Sequence, residues 1–475
     1  MLLALLITAT ASLSDGGVDD AVDGGPEPVL HLAVPLAPAE GAPPPPFEPP
    51  APVDAGLEAP SVLKLHGAAE ADLSLFPTGF PENGFDVMTA LHPVIGFDVG
   101  DDFGIELGPT FRLRIIDTPA LNRPSDIGGV LRGADWDELS DYGQILQSLK
   151  IAKDTGVFHL RIGPARKKSL GLGHLMWRYG NQTNPDYHPA SGTAVLKAGP
   201  IRAEFFASDL LGARLFAGDL AWDIGGTFSP DATVKDRYVL ALELVHDANL
   251  AGRPFRPDRT VAPFTPASVT LMHLDASAVL VRNAALRWMV MAGVGTRAND
   301  TGDLGLLVGT TLDANVKEIG FSTRIELRKQ AGGFRHGFFG PMYELQRFVD
   351  IGYRGDSIGA AVLPDGLSAF GELRVGIGTR ISFDAAAEYF FWNRLDLDGG
   401  LSIALLEDWF FLTARTTIVG IAQQPRFAFN AGLRWRLFPS FYVLGEGGTL
   451  FFPQADGSLI RGVSFSAGVG VDFER

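Results

Sequence analysis

The 475-residue sequence contains no cysteine. That excludes a disulfide framework, a thiolate metal site, a cysteine nucleophile and a lipid-modified N-terminal cysteine. Bases are the minority charge, 39 against 55 acids, so the chain has no basic footprint for general nucleic-acid binding. Helical periodicity is also scarce: after residue 61 no amphipathic stripe lasts more than a few turns. The opening apolar run is too short for a transmembrane helix. Catalytic signatures are missing as well. His159, His174, His188, His246, His273 and His336 are scattered, with no His-Glu-x-x-His or His-x-x-x-His spacing. No Gly-x-Ser-x-Gly elbow occurs, and Gly171-Leu172-Gly173 lacks the strand-turn-helix context of a nucleotide loop. The sequence reads as a non-enzyme that needs no cofactor or metal. A calcium-binding turn at Asp396 and Asp398 is an alternative to a plain solvated turn there.

What the chain does contain divides into three parts. Residues 1–11, MLLALLITATA, combine an apolar run with an Ala-x-Ala pattern and read as a signal peptide. Residues 12–60 hold nine acids, no Lys or Arg, and the run Pro43 to Pro46. With few large apolar side chains to drive collapse, this part is expected to be a disordered acidic linker, in the periplasm of a secreted envelope protein. A Pro-rich ligand for a periplasmic partner is the other reading. Without those acids the remainder carries 46 acids against 39 bases and is nearly balanced.

Residues 61–475 alternate with a period of two. Leu107, Phe111, Leu113 and Ile115 alternate with Glu106, Thr110, Arg112 and Arg114. Ile319, Phe321, Ile325 and Leu327 alternate with Glu318, Ser322, Arg324, Glu326 and Arg328. Phe427, Phe429, Leu433, Trp435 and Leu437 alternate with Asn430, Gly432, Arg434 and Arg436. Such segments are half-buried strands. Two more lie within 370–389, with Glu372, Arg374, Arg380, Asp384 and Glu388 on the polar side. Long connections at about 118–140, 167–190, 249–267 and 331–343 follow odd strands. Tight ones, at sites such as Gly100-Asp101-Asp102, Gly199-Pro200 and Asp313-Ala314-Asn315, follow even strands. Aromatic clusters at Phe390-Phe391-Trp392, Trp409-Phe410-Phe411, Trp435 with Phe438, Phe441-Tyr442 and Phe451-Phe452 sit at expected strand ends, where a bilayer's headgroup level favours rings.

The last strand supplies the most specific signal. Ser466-x-Gly468-x-x-Val471-x-Phe473, near the C-terminus, resembles the assembly signal of Gram-negative outer-membrane β-barrels. The resemblance implies an all-β, antiparallel up-and-down transmembrane barrel of about 18–22 strands in the cell outer membrane. It also implies contact with outer-membrane lipid and lipopolysaccharide, and handling by the barrel-assembly machinery. The Arg- and Gly-rich stretch Leu160–Gly192 is similar to strands of polysaccharide-export and alginate-export barrels, where such a strand leads into a long loop. It also reads as a constriction loop folded inward with a basic tip. A barrel this wide cannot be filled by its own side chains, so the lumen is expected to be hydrated or plugged. The candidate lining is Glu106, Arg112, Arg114, His159, Arg161, Glu318, Arg324, Glu326, Arg328, Glu372, Arg374, Asp384, Glu388, Arg434 and Arg436. The expected function is a porin or export channel for a hydrophilic, anionic or sugar-rich solute or polymer. The alternative is a docking barrel of an envelope-spanning motility or secretion complex.

Overall fold

The computed structural model describes residues 63–77, 85–116, 130–183, 187–212, 214–229, 231, 233–251, 266–298, 300–347, 358, 364–406, 409–423, 425–453 and 459–474. The expected signal peptide and linker lie outside the described residues. The body is built of strands, in chain order β1 (Leu63–Pro77), β2 (Phe85–Val99), β3 (Phe103–Leu107), β4 (Phe111–Ile116), β5 (Leu146–Ile151), β6 (Phe158–Gly163) and β7 (Ser191–Ala198). There follow β8 (Ile201–Ala207), β9 (Leu215–Asp223), β10 (Tyr238–Ala251), β11 (Pro266–Arg282), β12 (Leu286–Arg297), β13 (Asp300–Val316) and β14 (Ile319–Ala331). The last are β15 (Gly366–Ile377), β16 (Ile381–Phe390), β17 (Arg394–Leu405), β18 (Phe410–Ile421), β19 (Arg426–Phe438), β20 (Phe441–Pro453) and β21 (Leu459–Glu474).

Each strand pairs antiparallel with its neighbours. β3 and β4 both pair with β2, so they are two halves of one stave interrupted at Gly108-Pro109-Thr110. Proline cannot donate to the ladder, which accounts for the break. β21 returns to β1, from Leu75↔Phe465 to His66↔Glu474, and closes a barrel of 20 staves. Closure pairs the edge backbone that a lipid environment would leave unsatisfied.

The two faces separate as a period of two requires. On β14, Ile319, Phe321, Ile325 and Leu327 are exposed on the outside, while Glu326, Arg328 and Gln330 are buried on the inside. On β21, Val463, Val469, Val471 and Phe473 face outward and Ser464 and Ser466 inward. The Phe473 ring lies over Gly67 of β1, where a Cβ would meet it at 2.8 Å. Exposed Trp222, Tyr238, Trp288, Trp409, Trp435 and Phe438 ring the rim with the shorter turns. Three of the rings expected in a girdle, Phe390, Tyr442 and Phe451, are buried instead.

The rims differ as the loop lengths suggest, with corrections in detail. The connection between β14 and β15 runs to residue 365, beyond the expected 343: among the described residues the next strand begins at Gly366. Asp313-Ala314-Asn315 is not a turn: it lies within β13, and the chain reverses at Lys317-Glu318. Leu395–Gly399 belongs to β17, so Asp396 and Asp398 are wall residues and form no calcium loop.

A cation on the lipid face tests this orientation. Ile325→Lys is expected to cost about 2–4 kcal/mol near the bilayer midplane, measured by equilibrium unfolding in lipid vesicles. A neutral result would place this face away from lipid.

Candidate functional site

The interior is occupied by chain as well as by side chains. β6 ends at Gly163, whose φ is +153° and where a Cβ would sit 2.6 Å from the Gln147 carbonyl oxygen. Only glycine fits that conformation comfortably, and there the chain leaves the wall. Residues 164–183 then double back on themselves: Lys168 and Tyr179 exchange backbone bonds of 2.8 and 2.7 Å. Residues 332–347 lie alongside. Gly337 N–H donates to His174 O at 2.7 Å, Phe339 N–H to Leu175 O at 3.0 Å, and Trp177 N–H to Phe339 O at 3.2 Å.

These two inner segments carry their own apolar core. Leu170, Leu175, Met176 and Tyr179 pack with Phe334, Phe338, Phe339 and Tyr343 against Phe206, Val245 and Leu271 of the wall. Each fully buried side chain of this size contributes about 1.5–3 kcal/mol. On β8 to β11 the inner face is therefore apolar toward the long-loop rim, and strict alternation fails there.

Below that core the wall offers carboxylates. Arg178, buried, donates to Glu372 at 2.8 Å, to Asp398 at 2.6 Å and to Asp384, three different strands. Burial alone would lower the Arg178 pKa, but Glu372, Asp398 and Asp384 reverse this and raise it. Lys167 pairs with Asp384 at 2.8 Å and Lys168 with Glu204 at 2.5 Å. Glu243 accepts the backbone N–H groups of Leu175 and Met176 at 3.2 and 3.0 Å. In the second segment the Tyr343 hydroxyl donates to Asp247 at 2.5 Å, and Arg347 bridges Asp247 and Glu344, each at 3.2 Å. The Tyr179 hydroxyl donates to Glu344 at 2.5 Å. Burial, then the adjacent carboxylate, raises both tyrosine pKa values, so they remain donors.

The residues singled out from sequence fall into several places. Arg324, Glu326, Arg328, Glu372, Arg374, Asp384 and Glu388 form one connected network beside the inner segments. Arg324 also donates to the Leu172 carbonyl at the tip of the first. Arg112 pairs with Asp135 at 2.9 Å and Arg114 with Asp86 at 3.2 Å, away from that network. Glu106 lies 3.6 Å from His66. His159 is half-buried, and Arg161 pairs with Asp154 of a turn at 2.5 Å. Arg434 stacks between Phe411 and Tyr442, and Arg436 pairs with Asp472 at 2.6 Å. Glu318 is a correction: it sits exposed in the Lys317-Glu318 turn, because the strand starts one residue later.

Sequence reasoning passed over Arg178, Glu243, Asp247, Glu344 and Arg347. Glu243 and Asp247 were readable from their period-two spacing on β10. The other three lie outside the strands, where no periodicity exists to place them.

No protein-family profile matches the sequence, and no curated protein matches it. Several solved structures share part of the architecture. OccK11 (OpdR) of Pseudomonas aeruginosa is 10% identical over 87% of this chain and 96% of its own, with a TM-score of 0.36. OccAB2 of Acinetobacter baumannii is 9% identical over 87% of this chain and 98% of its own, at 0.35. The outer-membrane protein OpdK of P. aeruginosa is 9% identical over 87% and 99%, at 0.36. Overlap this low carries no argument about the present chain. Its own geometry does: the sheet is closed, apolar outside and charged within. The chain folds as a closed antiparallel β-barrel with the two faces of a membrane-spanning wall.

Removing the central cation should release the inner segment. Arg178→Ala leaves three carboxylates without their shared partner, and breaking one buried pair costs about 3–5 kcal/mol. Limited proteolysis of the folded barrel is expected to cut within residues 164–190 much faster in the variant, with Arg178→Lys rescuing only partly. Equal cleavage would remove Arg178 from this role.

Proposed function

We propose that the protein is a diffusion channel narrowed by its two inner segments, passing small hydrophilic solutes with a preference for anions. The observation that carries this reading is an asymmetry of exposure within the ion pairs. Arg374 is 29% exposed against 6% for Glu372, and Arg415 is 28% against 4% for Asp398. Lys167 is 28% exposed against 18% for Asp384. At these three pairs the cation is on the hydrated side, so a solute meets positive charge there first; at Arg178–Asp384, Arg328–Glu388 and Arg394–Asp396 the carboxylate is the more exposed partner. Such fields raise the local concentration of the opposite ion. The step is passage past fixed charges, with no covalent chemistry. With the bore occupied by two folded segments, a small sugar acid or carboxylate suits the space better than a polymer.

Planar-bilayer recording across a potassium chloride gradient tests this. The wild-type reversal potential is expected to show anion selectivity. Lys167→Glu with Arg374→Glu and Arg415→Glu should lower the chloride-over-potassium permeability ratio by roughly tenfold. Cation selectivity in the wild type would overturn the reading.

The apolar core inside the bore favours a second reading, a plugged docking barrel that recruits a periplasmic partner through residues 12–60. Deleting 12–60 separates the two. A channel keeps its conductance, whereas a docking barrel shows none before or after and loses its partner on pull-down.

A further inference from the structure

Three histidines with no motif spacing converge at the point where both inner segments meet the wall. His174 belongs to the first segment, His273 to β11, and His336 to the second; each is 0–1% exposed. The ring centroids of His174 and His273 are 4.9 Å apart, and those of His273 and His336 are 5.4 Å apart. Asp275, two residues along β11 on the same face as His273, points its Oδ1 between them. That oxygen lies 2.5 Å from His174 Nδ1 and 3.0 Å from His273 Nδ1. Ligand atoms of His174, His273 and Asp275 all fall within 4.8 Å of one another.

Hydrogen bonding alone does not account for this cluster. Despite its short distance to Asp275, His273 has no aligned partner at either ring nitrogen among the described residues, and neither has His336. Buried polar atoms are rarely left so. The neighbouring strands β12 and β13 make room for the rings. A Cβ at Gly293 would meet His273 at 2.4 Å, one at Gly295 would meet Phe334 at 2.2 Å and His273 at 2.6 Å, and one at Gly305 would meet Phe334 at 2.1 Å.

We propose that His174, His273 and Asp275 form a binding site for a divalent transition-metal ion of the zinc class, with His336 beside them as the neighbour for a fourth position. Two imidazoles and one carboxylate are a borderline donor set of the kind zinc takes. Tetrahedral ligands about 2.0–2.1 Å from the ion stand about 3.3 Å apart, so the observed 2.5 and 3.0 Å separations need only slight opening. The second shell is in place: with its proton on Nε2, His174 would donate to Glu326 Oε1, 3.1 Å away, and leave Nδ1 to the metal. Glu326 in turn is held by Arg324 and by Arg328 at 2.7 Å. Because the donors are shut off from water, the ion is structural. It staples residues 164–190 and 332–347 to strand β11 in one step.

The test uses the full-length folded barrel in detergent, stripped with chelator, dialysed against zinc and assayed by elemental analysis. About one zinc per chain is expected, with cobalt giving the intense visible absorption of a tetrahedral site. His174→Ala combined with His273→Ala should abolish both, while His246→Ala, whose ring bonds Thr270 elsewhere on the wall, should not. Should that double variant fail to fold, Asp275→Asn and a wild-type protection assay take its place. Zinc at a hundred times its dissociation constant is expected to slow protease cleavage within 164–190 by about a hundredfold. No stoichiometric zinc, an octahedral cobalt spectrum, or binding unchanged in the variants would each overturn the site.

Discussion

Everything in this molecule follows from closing the sheet. In a bilayer every backbone N–H and C=O of the wall must find its partner within the wall. The pairing of β21 with β1 completes that requirement at the seam. A closed wall of 20 staves then encloses a bore that side chains alone cannot fill. The remaining space must hold water or chain. Here much of it holds chain, and the choice explains features that a bare strand count would not. Among them are the glycine exit at the end of β6 and the loss of alternation on β8 to β11. The carboxylates facing one arginine from three strands are another.

Two kinds of interaction hold the inner segments, and they do different work. The apolar cluster around Leu175, Phe339 and Tyr343 supplies non-directional burial, which would tolerate several arrangements of similar area. The ion pairs select among them. Arg178 can reach Glu372, Asp384 and Asp398 together in one register, and any slip would forfeit at least one of these buried pairs. Buried pairs are poor sources of net stability but costly to break, so they act against the wrong arrangement more than for the right one.

Much of the wall was legible in the sequence, because a strand with lipid on one face and water on the other writes its orientation in every second residue. β14, β19 and β21 are read directly that way. The failures have a common cause. Where the inner face packs against protein, Phe206, Val245 and Leu271 are apolar too, and the code loses contrast. Turn composition misplaced the reversal after β13, since Asp313-Ala314-Asn315 carries turn-forming residues yet pairs with Phe321 and its neighbours. The histidines were visible but looked scattered. Their meeting depends on two loops folding inward, which is tertiary information that no local spacing contains. The inward fold of 164–190 was foreshadowed by its basic residues, although the acidic wall that receives them was not: its carboxylates come from strands far along the chain.

The two inner segments also support each other. They share backbone bonds at His174, Leu175 and Trp177, a side-chain bond from Tyr179 to Glu344, and one apolar cluster. Withdrawing residues 332–347 would uncover Leu175 and Met176 and take Tyr343 and Arg347 away from Asp247. Withdrawing residues 164–190 would uncover Phe338 and Phe339. The wall contacts of Arg178, Lys168, Tyr343 and Arg347 hold each segment in its own right, and the contacts the two share make the docking of either one strengthen that of the other.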